Sequence, residues 1–291
     1  MTDLKVFGNV YNNVKGIKAT DTDDNTVTFG DGYTLGEVSE YGDDCAVAGD
    51  IVFDGTYIRP WLFTGNENIT SFVGNNVTTA WGDSIGAGQN VYTFANCTAL
   101  RYVSLPLITN YYHTDSIFSG CTALEEANLN YKNITRLASG MFNHCPSLRK
   151  TVYVLPSLVT KVYSSVLTDN PYVTTFDILI TTNTANDHAI SGSAFTKDTA
   201  LNTLILRNTD RITTLANINA FTTTPFASGK AGGTLYVPQS LISSYESATN
   251  WSTILGYANN SIKSIESTHT DPNAPIDLTL YYADGTEIPN D

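Results

Sequence analysis

Charged residues are scarce in this chain. Asp, Glu, Lys and Arg make up 15% of its 291 residues, while Thr, Asn, Ser, Tyr and Gly are abundant. This composition argues against a coiled coil and against a disordered chain, because both are typically rich in charge. It is typical of a β-rich protein with many hydrogen-bonded turns.

Basic residues are especially few, and they form no patch. Acids outnumber bases by 28 to 15, which gives a formal charge of −13. Residues 1–60 hold eleven acids and four bases, residues 61–267 hold twelve and eleven, and residues 268–291 hold five and none. The acidity therefore belongs to the two ends. Because no basic patch is present, we expect no nucleic acid partner.

Long apolar runs are also missing. No stretch of about 18 apolar residues could cross a bilayer, so we expect no membrane partner. The amino terminus, MTDLKVFGNVYNN, lacks the basic start and the unbroken apolar run of a secretory signal. We therefore expect that the chain is not a conventional Sec-exported surface protein.

Motifs that carry chemistry are absent as well. The four histidines are scattered, and the sequence holds no glycine-rich phosphate loop, no G-x-S-x-G and no H-E-x-x-H. Glu125 and Glu126 are adjacent, but neighbours on a strand point to opposite faces. We predict no catalytic residue, no metal site and no cofactor, and we expect that the protein is not an enzyme.

Only four cysteines are present, and three of them occupy one position of a repeat. The stretches 94-FANCTAL-100, 118-FSGCTAL-124 and 142-FNHCPSL-148 recur every 24 residues. A repeat of this length indicates a solenoid, in which each copy stacks on the next. One thiol per turn cannot supply the four ligands of a structural zinc site. We interpret these cysteines as buried residues that donate a weak S–H bond to a backbone carbonyl.

Three weaker copies extend the repeat. The residues that stand for phenylalanine, cysteine and leucine are Phe63, Asn66 and Ile69, then Leu167, Asn170 and Val173, then Phe195, Asp198 and Leu201. The third strong copy carries two extra residues between Leu148 and Pro156, and the stretch 180–195 is long. The repeat spacing does not predict the strand register at these two places.

Each copy also supplies one short strand. Alternation turns one set of side chains inward: Leu100, Val103, Leu105, Leu124, Ala127 and Leu129. Strands of successive turns would form a parallel sheet that no single copy could stabilise alone. The outward positions of two adjacent strands are the candidate binding residues: Tyr102, Ser104, Glu126 and Asn128.

These residues resemble the BspA-type leucine-rich repeat family, in the form found in phage tail-associated and gut bacterial surface proteins. The stretch 100-LRYVSLP-106 matches the family's L-x-x-I-x-L-P, and the resemblance covers about residues 61–267. It implies a β-rich leucine-rich-repeat solenoid over residues 61–232. Residues 201–254 resemble the closing segment of such arrays, which implies a strand-helix cap over residues 233–267. We expect 234-TLYVP-238 as the last strand and 239-QSLISSYESAT-249 as a helix that shields the sheet edge.

The two ends read as separate elements. Residues 1–60 predict a small β module, with a hairpin around the polar tip 21-DTDDN-25. Its beginning is similar to attachment modules of phage tail-associated proteins. Residues 268–291 form an acidic terminal segment with a predicted strand, 277-DLTLYY-282, which could add to a neighbouring sheet.

The resemblance implies a non-enzymatic structural and binding component of a phage particle, at the tail or baseplate. Its partners would be other virion proteins, through the amino-terminal module, and a host surface protein or glycan, through the solenoid. The chain would be part of a homo-oligomer or a larger assembly and would be located in the virion. The alternative is an adhesin at the bacterial cell surface. A glycan-active enzyme would need paired acids on neighbouring turns, and we find no such pair.

Overall fold

The computed structural model describes residues 48–53, 58, 63–78, 92–108, 116–129, 137–180 and 189–265, together with the backbone of four short strands before residue 29. These four strands form two antiparallel hairpins, β1 (Leu4–Val6) with β2 (Asn9–Tyr11) and β3 (Ile17–Thr20) with β4 (Thr26–Thr28). The second pairing confirms the predicted hairpin. Its tip at residues 21–25 lies outside the described residues.

The first large sheet has six strands in the order β4-β3-β5-β6-β7-β8. Its parallel strands are β5 (Ala48–Phe53), β6 (Ile69–Val73), β7 (Tyr102–Leu105) and β8 (Glu126–Leu129). Since β5 pairs directly with β6, the sheet runs across the expected boundary between residues 60 and 61. The division of the chain into domains stays a prediction.

The second sheet has five strands, all parallel, in sequence order. They are β9 (Val152–Val159), β10 (Thr175–Ile180), β11 (Thr203–Leu206), β12 (Thr234–Pro238) and β13 (Ser261–Ile265). Stacked turns that each contribute one parallel strand confirm the predicted solenoid.

The two sheets separate where the third strong copy carries its extra residues. The amide of Glu125 donates to the Arg101 carbonyl at 2.8 Å, and that of Arg149 donates to the Glu125 carbonyl at 2.9 Å. In the following turn, the amide of Thr174 donates to Thr151 rather than to Arg149, at 2.8 Å. The two additional residues therefore displace β9 along the chain, and the register that joins β7 to β8 does not continue into it.

In five successive turns, a residue with positive φ lies two positions after the phenylalanine or leucine of the core. This position holds Asn96 (φ 59), Gly120 (φ 76), His144 (φ 57), Asp169 (φ 67) and Lys197 (φ 67). A Cβ added at Gly120 would come within 2.2 Å of Asn96 Oδ1. Glycine at this position therefore avoids both the strain of a positive φ and a contact that would displace the Asn96 side chain.

In four successive turns, the next residue donates a side-chain hydrogen bond to a backbone carbonyl of the preceding turn. The thiols of Cys97, Cys121 and Cys145 donate to the carbonyls of Phe63, Phe94 and Phe118 at 2.8, 2.9 and 3.0 Å. In the next copy, Asn170 Nδ2 donates to the Phe142 carbonyl at 3.0 Å. This confirms the predicted structural role of the cysteines. Burial raises the pKa of Cys145 to about 12, so this thiol stays protonated and able to donate.

Aromatic rings form a continuous row through the core. Phe94, Phe118 and Phe142 stack with centroids 5.6 and 5.5 Å apart. Where Leu167 interrupts this row, rings from the strands continue the contact, with Tyr153 6.3 Å from both Phe142 and Phe176. The side chains predicted to point inward are buried: Leu100, Val103, Leu105, Leu124, Ala127 and Leu129.

The carboxy-terminal cap contains two short helices, α1 (Ile242–Ser247) and α2 (Trp251–Leu255), after a 3₁₀ turn at Gln239–Leu241. Tyr245 and Trp251 are buried, and their hydroxyl and indole groups bind the two backbone groups of Thr213 at 2.7 Å. The expectation that β12 is the last strand is wrong. The chain continues past the helices into β13, which covers the edge of β12 and forms the edge of this sheet within the described residues.

Candidate binding surface

The register of β7 and β8 brings the four predicted binding residues into one cluster. Tyr102 lies beside Glu126, and Ser104 lies beside Asn128. Neighbouring strands are about 4.8 Å apart, so the four residues form two adjacent rows on the outer face of the first sheet. Asn128 Nδ2 donates to Ser104 Oγ at 3.0 Å, which fixes the amide against its neighbour.

Three of these four residues are accessible. Glu126 and Asn128 are exposed and Tyr102 is half-buried. Ser104 departs from the expectation of an outward contact, because only 4% of it is exposed. Its hydroxyl accepts the bond from Asn128 and so supports that side chain.

Two further residues extend the cluster toward the amino terminus. The register places Asp50 beside Ser71, and Ser71 beside Tyr102. Asp50 Oδ1 accepts hydrogen bonds from Ser71 Oγ at 2.7 Å and from Thr70 Oγ1 at 2.8 Å. These bonds, the one from Ser71 first, lower the pKa of Asp50. Alternation along the weak first copy could have identified Ser71, whereas Asp50 falls in the stretch assigned to a separate module.

The two adjacent glutamates have different surroundings. Glu125 lies just before β8 between two arginines, 2.6 Å from Arg101 Nη2 and 2.9 Å from Arg149 Nη2. The hydrogen bond from Arg101 is the main reason that the pKa of Glu125 is lowered. Glu126 lies within β8 on the outer face. Burial lowers the pKa of Lys150, and the negative charge of Glu126 partly counteracts this decrease.

The outer face of the second sheet differs from that of the first sheet in accessibility, because the carboxylate on its central strand β10 is buried. Asp177 of β10 is 0% exposed and accepts two hydrogen bonds from Arg207, from Nε and Nη2, each at 2.5 Å. Burial raises the pKa of Asp177 in spite of Arg207. On the neighbouring strand, Ile205 is also buried. At β10 and β11, the second sheet therefore has buried side chains where β7 and β8 of the first sheet present accessible polar ones.

Two further features bear on possible ligands. Among the residues that the structure describes, no group of three or more His, Cys, Asp or Glu side chains could hold a metal ion. Within the same residues, no helix is both long and apolar enough to span a membrane.

The structure is a solenoid of the leucine-rich-repeat class, because its stacked turns contribute one parallel strand each. One of its sheet faces carries an accessible polar cluster. The family model for the BspA type leucine rich repeat region matches six copies over residues 56–202. The chain therefore belongs to the BspA-type leucine-rich repeat family. Comparison with curated proteins and with solved structures gives no match. The family is typically a non-enzymatic scaffold, which indicates a binding or structural role.

Proposed function

We propose that the chain is a non-enzymatic structural and binding component of a phage particle, associated with the tail or baseplate. The resemblance of residues 1–60 to tail-associated attachment modules and of residues 201–254 to the closing segments of phage and gut bacterial arrays supports this proposal. In it, the amino-terminal module docks on other virion proteins. The solenoid is displayed to the host.

The observation that carries the binding role is the cluster of Tyr102, Glu126 and Asn128 on one rigid sheet face. Tyrosine supplies a large contact area with two side-chain torsions. The amide that Ser104 holds and the exposed Glu126 carboxylate can bond to hydroxyl or amide groups of a partner. The ladders on both strands hold these groups in place before binding, which lowers the ordering cost of association. A host surface glycan or protein fits this chemistry.

A bacterial surface adhesin is the second candidate, because BspA-type repeats are better known in that role. The two candidates differ in where the chain is found. Mass spectrometry of purified virions and of host envelope fractions would search for a peptide such as 102-YVSLPLITNYYHTDSIFSGCTALEEANLNYK-132. Detection in virions at a stable copy number is the expected result. Detection in the envelope alone would favour the adhesin.

Particles that carry Tyr102→Ala with Asn128→Ala are expected to adsorb to host cells at least about tenfold more slowly. Both substitutions remove exposed contact atoms, and central aromatic residues often contribute about 2 kcal/mol or more to binding. The measurement is the adsorption rate constant at equal particle number.

A matched control is Tyr172→Ala with Asn202→Ala. Tyr172 is 52% exposed and Asn202 is exposed, and both lie outside the cluster. This variant is expected to adsorb like the parent. Equal adsorption of the cluster variant and the parent would remove the binding role from this face.

A further inference from the structure

Among the described strands, β13 of the second sheet has one edge that no other strand covers. β13 pairs in parallel with β12, and in the part of the chain that the structure describes it has no other strand partner. The Ser261 amide donates to the Gly233 carbonyl at 3.0 Å, so Ser261 faces β12. Because backbone groups alternate along a strand, Ile262 and Ser264 direct their N–H and C=O groups to the free edge.

The surroundings of this edge are suited to an added strand. Ile262 and Leu255 are only partly buried against the core, and they line an open groove with Glu246, Ser252, Gly256 and Asn260. An exposed sheet edge of this kind is a template for another strand. Here the apolar side of an added strand could pack against Ile262 and Leu255.

The outward side of the edge carries a positive charge. The Lys263 ammonium lies over the Tyr236 ring, 6.0 Å from its centroid. Within the described residues, Lys263 has no acidic partner. An occupant with acidic residues would therefore be favoured by charge.

We propose that residues 277–282, DLTLYY, add to the edge of β13 within the same chain. Leu278 and Leu280 alternate with polar residues, so both can face Ile262 and Leu255 while Asp277 or Thr279 faces Lys263. The whole terminal segment 268–291 holds five acids and no base. Residues 277–282 themselves lie outside the described residues.

Chain length permits this arrangement and favours it over exchange between chains. The chain leaves β13 at Ile265, and the intervening residues 266–276 can span up to about 36 Å. β13 itself is about 17 Å long at the rise of a strand. A short tether gives an effective concentration in the millimolar range, above that of a second copy in dilute solution.

The test is hydrogen exchange of the backbone amides of Ile262 and Ser264 in the full chain. In the parent, we expect exchange at these two amides to be at least about tenfold slower than in the Leu278→Ser/Leu280→Ser variant. The Lys263 amide, which faces β12, serves as the internal reference. Leu107→Ser, at a leucine that is 49% exposed elsewhere, is the matched control and should exchange like the parent.

A second variant tests the charge. Lys263→Glu should accelerate exchange at Ile262 and Ser264, whereas Lys197→Glu, at another exposed lysine, should not. Equal exchange at these amides in the parent and in Leu278→Ser/Leu280→Ser would overturn the proposal. Protection that disappears on dilution would also overturn it, since the added strand would then come from a second copy.

Discussion

Replacing Phe118 by alanine is expected to lower the free energy of unfolding by about 3–5 kcal/mol, the range for a phenylalanine removed from a core. The Phe118 ring is fully buried between Phe94 and Phe142, at centroid distances of 5.6 and 5.5 Å. Its loss leaves a cavity and removes the ring that contacts both neighbouring turns. In a solenoid, stability depends on contacts between neighbouring turns, so a gap in the middle of the array should be especially costly.

Chemical denaturation would measure this change. Phe118→Leu is the informative partner variant, because Leu167 occupies the equivalent position of a later turn and is buried there. It should cost less than Phe118→Ala because leucine retains much of the buried volume and loses only the ring stacking and the remaining volume. Leu107→Ala, at an exposed leucine, should stay within about 0.5 kcal/mol of the parent. Parent-like stability of Phe118→Ala would contradict the stacked core.

The solenoid could be predicted because its repeat places each kind of residue at one structural position. A phenylalanine that recurs with a cysteine and a leucine requires one backbone shape in every turn, and the hydrogen bonds from Cys97, Cys121 and Cys145 show that shape. The weak copies could be aligned for the same reason. Asn170 has a donor that replaces the thiol and binds the equivalent carbonyl.

Features that depend on contacts between distant segments could not be predicted in the same way. Alternation correctly placed Ser104 on the outer face, but it carries no information about what covers that face, and Ser104 is buried. The strand β13 follows two short helices, and its sequence SIKSI has no repeat signature. The two extra residues after Leu148 were visible in the sequence. These two residues separate the two sheets because they shift the backbone register, and the register cannot be read from the sequence.

Asp198 is the one carboxylate at the position of the core donors. At this position Cys97, Cys121, Cys145 and Asn170 each donate to the carbonyl of the phenylalanine in the preceding copy. Asp198 Oδ1 accepts the Asn170 amide at 2.8 Å, but Oδ2 is buried and has no hydrogen-bond partner among the described residues. Burial raises the pKa of Asp198 to about 9. At neutral pH the side chain is therefore protonated, and its O–H can act as the donor that this position requires.

Asp198→Asn is expected to stabilise the protein, and the gain should increase with pH. Between the ordinary Asp pKa of about 4 and the folded value of about 9, the folded chain retains a proton that the unfolded chain has released. Stability of the parent therefore falls as pH rises through this window, by at most about 1.4 kcal/mol per pH unit for one group. Asparagine supplies a donor without a proton to lose, so the variant lacks this decline. Its advantage should grow by up to about 4 kcal/mol from about pH 5 to about pH 8.

Urea denaturation of parent and variant at several pH values would measure the difference. Asp210→Asn is the matched control, because Asp210 has a side chain that is 67% exposed and an ion pair with Arg211 at 3.4 Å. Its effect should be small and nearly independent of pH, since exposed pairs contribute little. A constant difference between Asp198→Asn and the parent across this range would mean that Asp198 is ionised in the folded chain. This turn would then have no donor at position 198, and Asn170 would be the last residue of the series that donates to the preceding turn.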